Sequence, residues 1–114
     1  MSDRPTGGIT GYHAHVYYRA ETKPAAARLR DALADRFDVR LGRWHDRPVG
    51  PHPCWSYQVA FEPALFGEIV PWFALNRRGL VVFIHPRTGD DIADHTDYAI
   101  WLGEMPELDL DALR

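Results

Sequence analysis

From Tyr12 onward the chain alternates polar and apolar positions as a half-buried strand requires. In Tyr12-His13-Ala14-His15-Val16-Tyr17-Tyr18, the residues Tyr12, Ala14, Val16 and Tyr18 leave by one face, and His13, His15 and Tyr17 by the other. The aromatic and β-branched content suits a strand. The period then lengthens. Leu29, Leu33 and Phe37 recur every four residues beside Ala26, which predicts a helix with one apolar stripe, capped by Thr22 and accommodating Pro24 in its first turn. Residues 38–44 alternate again, with Val39 and Leu41 on one face and Arg40, Gly42 and Trp44 on the other. That is a second strand.

Residues 45–53 hold three prolines, one glycine and two histidines, and so read as a stiff loop. Residues 55–62 form a third strand presenting Trp55, Tyr57, Val59 and Phe61 to one side. Pro63 opens a second helix whose buried surface is Leu65, Phe66, Ile69, Val70, Phe73 and Leu75; Pro71 should kink it and Gly79 end it. Residues 80–85 are a nearly continuous apolar fourth strand. After a turn at 86–89, residues 90–102 read as a short helix carrying Ala93, Tyr98, Ala99 and Trp101, followed by an acidic tail. Residues 1–11 are polar, with three glycines and a proline, and read as a flexible tail ahead of a single domain over 12–114.

Strand, helix, strand, strand, helix, strand is the split βαβ order of a ferredoxin-like α+β sandwich. Its four-stranded antiparallel sheet has the order 4-1-3-2, with both helices on one face. That order makes strand one central and brings His85, at the end of strand four, beside His13. The helix-free face then needs a loop, a tail or a second subunit over its aromatic residues.

Composition narrows the function. At 114 residues with 46% apolar content, the chain can bury its own core. A net charge of −3 with scattered basic residues gives no nucleic-acid footprint. A lone Cys54 excludes a disulfide framework or a cysteine-rich zinc site, and it reads as an inert thiol. The sequence contains no signal-peptide run or bilayer-spanning segment, so cytoplasm is the expected location and no membrane is expected as partner. No serine elbow, phosphate-cradling glycine loop or dinucleotide fingerprint is present. The unusual feature is six histidines among four tryptophans and five tyrosines.

His13 and His15 are spaced to lie roughly 7 Å apart at Cα. With His85 brought beside them, a shared metal ion explains the trio better than three separately satisfied rings. His52 sits in the proline-rich loop, which in this topology lies at the end of strand one opposite His13. It reaches the site only if the loop folds inward or a partner subunit presents it. His95, ten positions after His85, reads by itself as a first-turn helix residue beside Asp94.

Five spaced motifs together carry a resemblance. Tyr12-His13-Ala14-His15-Val16-Tyr17, Gly50-Pro51-His52-Pro53, Asn76-Arg77, His85-Pro86-x-Thr88-Gly89-Asp90-Asp91 and Asp94-His95-Thr96 resemble the DOPA 4,5-dioxygenase family over nearly the whole chain. The resemblance implies a homodimer and a non-haem metal, Fe(II), with Zn(II) or another divalent ion able to take its place during purification. It implies extradiol opening of a DOPA-like catechol by O₂. Carried onto the matched positions, His13, His15 and His85 are metal ligands, while His52 and His95 are acid–base or substrate-orienting groups. Tyr17 is assigned to the catalytic set and Tyr12 to substrate binding. Arg77 or Arg87 would hold a substrate carboxylate. A ligating carboxylate is left open among Asp46, Asp90 and Asp94, as is an all-histidine set. The competing expectations are another enzyme on the same scaffold, or a metal- or small-ligand-binding module without dioxygenase activity.

Overall fold

The computed structural model describes residues 3–114; Met1 and Ser2, part of the expected tail, lie outside the described residues. The protein is an α+β fold with one antiparallel sheet. Its strands are β1 (Tyr12–Tyr18), β2 (Arg40–Leu41), β3 (Trp55–Phe61), β4 (Val81–Pro86) and β5 (Ile100–Leu102), in the order β2-β3-β1-β4-β5. The helices are α1 (Lys23–Arg36), α2 (Phe66–Asn76) and α3 (Asp91–His95). The first four strands take the expected order, and the sheet has five strands rather than four.

The fifth strand replaces the end of the helix expected over 90–102. Only Asp91–His95 is helical, because the chain turns at residues 96–99 and pairs Ile100, Trp101 and Leu102 with Ile84, Phe83 and Val82. The period is two rather than 3.6: Ile100 and Leu102 pack on the core while Trp101 crosses to the other face. This pairing also covers an edge of β4 that would otherwise expose its backbone groups. The second strand is shorter than expected. It keeps a backbone bond from Gly42 to Gln58 (2.8 Å) and an isolated bridge between His45 and Ser56 beyond it.

One face of the sheet is covered by α1 and α2. Ala14, Val16, Tyr57, Val59, Val82 and Ile84 pack there against Ala26, Leu29, Leu33, Ile69 and Phe73, all with no exposed surface. A side chain of this size contributes about 1.5–3 kcal/mol when fully buried. The buried Tyr57 hydroxyl donates to the Ala26 carbonyl at 2.8 Å. Thr22 stands at the start of α1, yet its hydroxyl accepts the Arg19 N–H at 2.8 Å instead of capping the helix. Pro71 lies inside α2 without ending it. Arg78 and Gly79, with φ of 56° and 77°, take left-handed conformations that stop the helix and turn the chain into β4.

The opposite face is covered by the chain itself. The loop after β2 folds inward, and the C-terminal segment crosses it, joined by a bond from the Asp109 N–H to the Pro51 carbonyl at 2.9 Å. At the other end, residues 10 and 11 hydrogen-bond to Arg87 (2.9 Å), so the part of the N-terminal segment nearest β1 runs beside the end of β4. Among the described residues no helix is long and apolar enough to cross a membrane.

Candidate metal centre

β1 and β4 pair so that His13 stands directly opposite His85, and His15 opposite Phe83. His13, His15 and His85 therefore share the face turned away from α1 and α2. Each offers a ring nitrogen within 4.8 Å of those of the other two, and among the described residues no other histidine, cysteine or carboxylate group clusters this way. His15 and His85 are buried, at 6% and 4% exposure, while His13 is half-buried at the rim.

Hydrogen bonding fixes how these rings present themselves. His85 Nδ1 donates to the Pro86 carbonyl at 2.9 Å, which leaves an unshared pair on Nε2. That Nε2 lies 3.2 Å from His15 Nε2. Two unshared pairs so close repel unless a proton or a cation stands between them. A divalent ion would be held by these two nitrogens together with a ring nitrogen of His13, all within 4.8 Å of one another. Burial keeps all three rings neutral and able to ligate: His13 is lowered to about 4, His85 to about 3 and His15 well below its ordinary value. The neighbouring imidazoles lower them further, and Arg87 and Arg40 do the same at His13. The donor set fits a divalent metal.

Two more histidines complete the cluster. The inward fold of residues 45–53 places the His52 ring 4.1 Å from that of His15, with no second subunit needed. Its Nδ1 is 2.7 Å from the Tyr17 hydroxyl. Burial holds His52 at about 4 and raises the Tyr17 phenol far above its ordinary value. The His95 ring lies 4.0 Å from His85, and its Nδ1 donates to the Asp91 carbonyl at 2.7 Å. Phe83 and Trp101, stacked at 4.2 Å, form the apolar wall behind these rings. A cavity of about 500 Å³, lined in part by His95, Trp101, Met105 and Leu108, opens beside them.

The three carboxylates considered as ligands are engaged elsewhere. Asp46 accepts from the Tyr18 hydroxyl (2.7 Å) and from Lys23 (2.6 Å). Asp90 caps α3 by accepting the Ala93 N–H at 3.1 Å. Asp94, 2% exposed, accepts the backbone N–H and the hydroxyl of Thr88 at 3.0 and 2.5 Å, tying the turn after β4 to the helix that carries His95. Asp94→Ala would remove two charge-assisted hydrogen bonds that tie the exposed turn residue Thr88 to α3, at a cost of about 1.5–3 kcal/mol. Chemical denaturation of the variant checks that figure, and a loss below about 0.5 kcal/mol would show that the bonds contribute little.

Of the other residues expected at the site, Arg87 lies at its rim, close enough for its charge to act on His13. Tyr12 and Arg77 are elsewhere. Tyr12 faces the helices, stacks on Phe61 and packs at a tilt against Phe66, because position 12 has the parity of the core residues of β1. Arg77 donates to the Leu80 carbonyl at 2.9 Å and borders a separate cavity with Arg19 and Cys54. Trp101 builds the site although the sequence gives it no such role, because its strand reads as helix, and Asp94, a candidate ligand by sequence, instead ties Thr88 to α3. The Thr88–Asp94 spacing was visible in the sequence, but the bond between them depends on a tight turn.

A family model described as the Dopa 4,5-dioxygenase family matches residues 12–112. Among curated proteins, the chain is similar to an uncharacterized 21.2 kDa protein of Botryotinia fuckeliana, at 35% identity over 94% of this chain and 66% of that one. It is similar also to the DOPA 4,5-dioxygenase of Amanita muscaria, at 33% identity over 90% of this chain and 49% of that one. The chain thus spans about half to two thirds of the length of these relatives. A crystal structure from Nostoc punctiforme, of a protein provisionally described as a dioxygenase, superposes with a TM-score of 0.97. It is 50% identical and the match covers 98% of this chain and 97% of that one.

Proposed function

Because the chain belongs to the Dopa 4,5-dioxygenase family, we propose that it opens the ring of a DOPA-like catechol with O₂ in an extradiol reaction, using a divalent metal held by His13, His15 and His85. The observation that carries this reading is the convergence of those three neutral imidazoles with His52 and His95 and without a carboxylate. Fe(II) suits three nitrogen donors with positions left over, and when bound it would supply the meeting point for both catechol hydroxyls and O₂.

The chain's own residues then have definable tasks. His52 is unprotonated at neutral pH and can take a catechol proton at Nε2 while its Nδ1–H is donated to Tyr17. The same Nε2 gives the proton back, so the Tyr17 hydroxyl, accepting from Nδ1–H throughout, serves to orient the ring. His95, with its Nδ1–H committed to Asp91, keeps an unshared pair on Nε2 and can act in the same way from the opposite side of His85. Phe83 and Trp101 exclude water and offer an aromatic surface against which a catechol ring can pack. The homodimer implied by the family resemblance belongs to this reading, although His52 is delivered by its own chain.

A second reading is a metal- or small-ligand-binding module without dioxygenase activity, favoured by a histidine trio that can hold a divalent ion whether or not a catechol is turned over. The same assay separates the two. Protein purified anaerobically and loaded with Fe(II) is mixed with L-DOPA or 3,4-dihydroxyphenylacetate in air. Oxygen uptake with a yellow ring-opened product, in equal amounts, is the expected result. Tight metal binding with no oxygen uptake on any catechol would leave the binding module as the function.

A further inference from the structure

A single hydrogen bond ties down the segment that walls the histidine site. Between the end of β5 at Leu102 and the short turn of helix at Leu110–Leu113, residues 103–109 have no regular structure. Among the described residues, their one hydrogen bond to an earlier part of the chain runs from the Asp109 N–H to the Pro51 carbonyl, at 2.9 Å. Gly103, with φ of 92°, turns the chain out of β5. A Cβ there would stand 2.7 Å from Arg77 Nη1, so only glycine fits without displacing that side chain.

The segment has room to move. Pro106 and Leu108 line the cavity of about 500 Å³ together with His95 and Trp101. Pro106 also borders the cavity of about 640 Å³ beside Arg77 and Cys54, so unfilled space lies on both sides. Met105 is 73% exposed and takes no part in the core. Few buried contacts and one main-chain bond describe a segment that opens at low cost. The other end of that bond reaches the site itself. Pro51 precedes His52, which is 8% exposed and has its ring 4.1 Å from that of His15. Among the described residues, two hydrogen bonds hold residues 47–53 to the rest of the fold: Tyr17 with the His52 ring at 2.7 Å, and Asp109 with Pro51.

We propose that residues 103–109 form a closing strap that sets the position of His52. With the Asp109–Pro51 bond made, the cavity is walled and the His52 ring is held in the cluster. With it broken, the strap lifts and the loop carries the ring away from His15. Pro51 and Asp109 are thus positioning residues, acting on His52 through the main chain. Lifting also widens the way to the histidines, so ligand access and base placement become one motion. The strap deepens the reading above and rests on it for His52 as an acid–base group.

Chemical footprinting separates the strap from turnover. Diethyl pyrocarbonate acylates accessible neutral imidazoles, and peptide mass spectrometry reads the rate at each histidine of the metal-free protein. Asp109→Pro deletes the N–H at a residue whose φ of −85° is close to proline's, whereas Asp109→Ala keeps it. In Asp109→Pro, His52 should react about three- to tenfold faster, the scale of one backbone hydrogen bond. His13 and His85, held by strands, should keep their rates, and Asp109→Ala should match the unaltered protein. Gly103→Ala loosens the strap from its other end and should move His52 the same way, which decides the matter if the proline variant does not fold. An unchanged His52 rate, or an equal rise at every histidine, overturns the strap. The footprint needs neither metal nor catechol. A protein that opens no ring yet shows the His52 change keeps the strap and loses the dioxygenase reading; one that opens rings without that change loses the strap alone.

Discussion

His15→Ala leaves a folded protein that no longer retains a divalent metal, and catechol-dependent oxygen uptake falls by at least a hundredfold. His15 lies at the middle of the cluster, 6% exposed, with its Nε2 3.2 Å from that of His85 and its ring 4.1 Å from that of His52. Removing it leaves two ligands, and an ion held by two imidazoles competes poorly with chelators and water. His52→Ala separates binding from chemistry. That ring is paired with Tyr17 and lies outside the trio of ligands, so the variant should keep its metal and lose about 10²–10⁴ in turnover, the usual contribution of a positioned acid–base group. Metal content by elemental analysis after dialysis, circular dichroism for the fold, and an oxygen electrode give the three readouts. Two variants that both keep metal and full turnover would overturn the site assignment. Metal lost in both would make His52 a ligand instead.

What the sequence makes legible here follows from how local each feature is. The His13 and His15 pair shows because a strand's period of two is written in consecutive residues. His85 could be placed by topology alone, and it stands directly opposite His13. His52 is different in kind. Its inward position depends on a loop held by the C-terminal segment, through a bond between residues 58 positions apart in the chain, Asp109 and Pro51. No local pattern records such a contact. The fifth strand was hidden because Ile100-Trp101-Leu102 is too short a run for its period to show, and the open edge of β4 decides its conformation. Tyr12 shows a limit of carrying a role over by motif. It lies next to His13 in the sequence, yet the parity of β1 turns it toward the helices.

Acid should destabilise the metal-free protein well above the pH at which carboxylates titrate. Burial lowers His52 to about 4 and His85 to about 3, whereas an unfolded chain holds both near 6.5. Between those limits the unfolded state binds more protons than the folded state, so stability falls as pH falls; it is fully present only above about 6.5. From pH 7 to pH 5 each such ring costs roughly 2 kcal/mol, and the two together on the order of 4 kcal/mol. For a chain of this size that lowers Tm by about 15–20 °C. The rings are in contact, so they titrate as a group, and charging one raises the cost of charging the next. Thermal unfolding in chelator at pH 7, 6 and 5 measures the slope, and His52→Gln should flatten it by close to one proton. Added Zn(II) moves the loss to lower pH, because a metal on the same nitrogens has to be displaced before they can be protonated. A Tm that stays level from pH 7 to pH 5 in chelator would mean that the imidazoles accept protons without leaving the fold. A cluster able to do that would have no standing preference for a cation over protons, and the physical basis for a metal at this site would be gone.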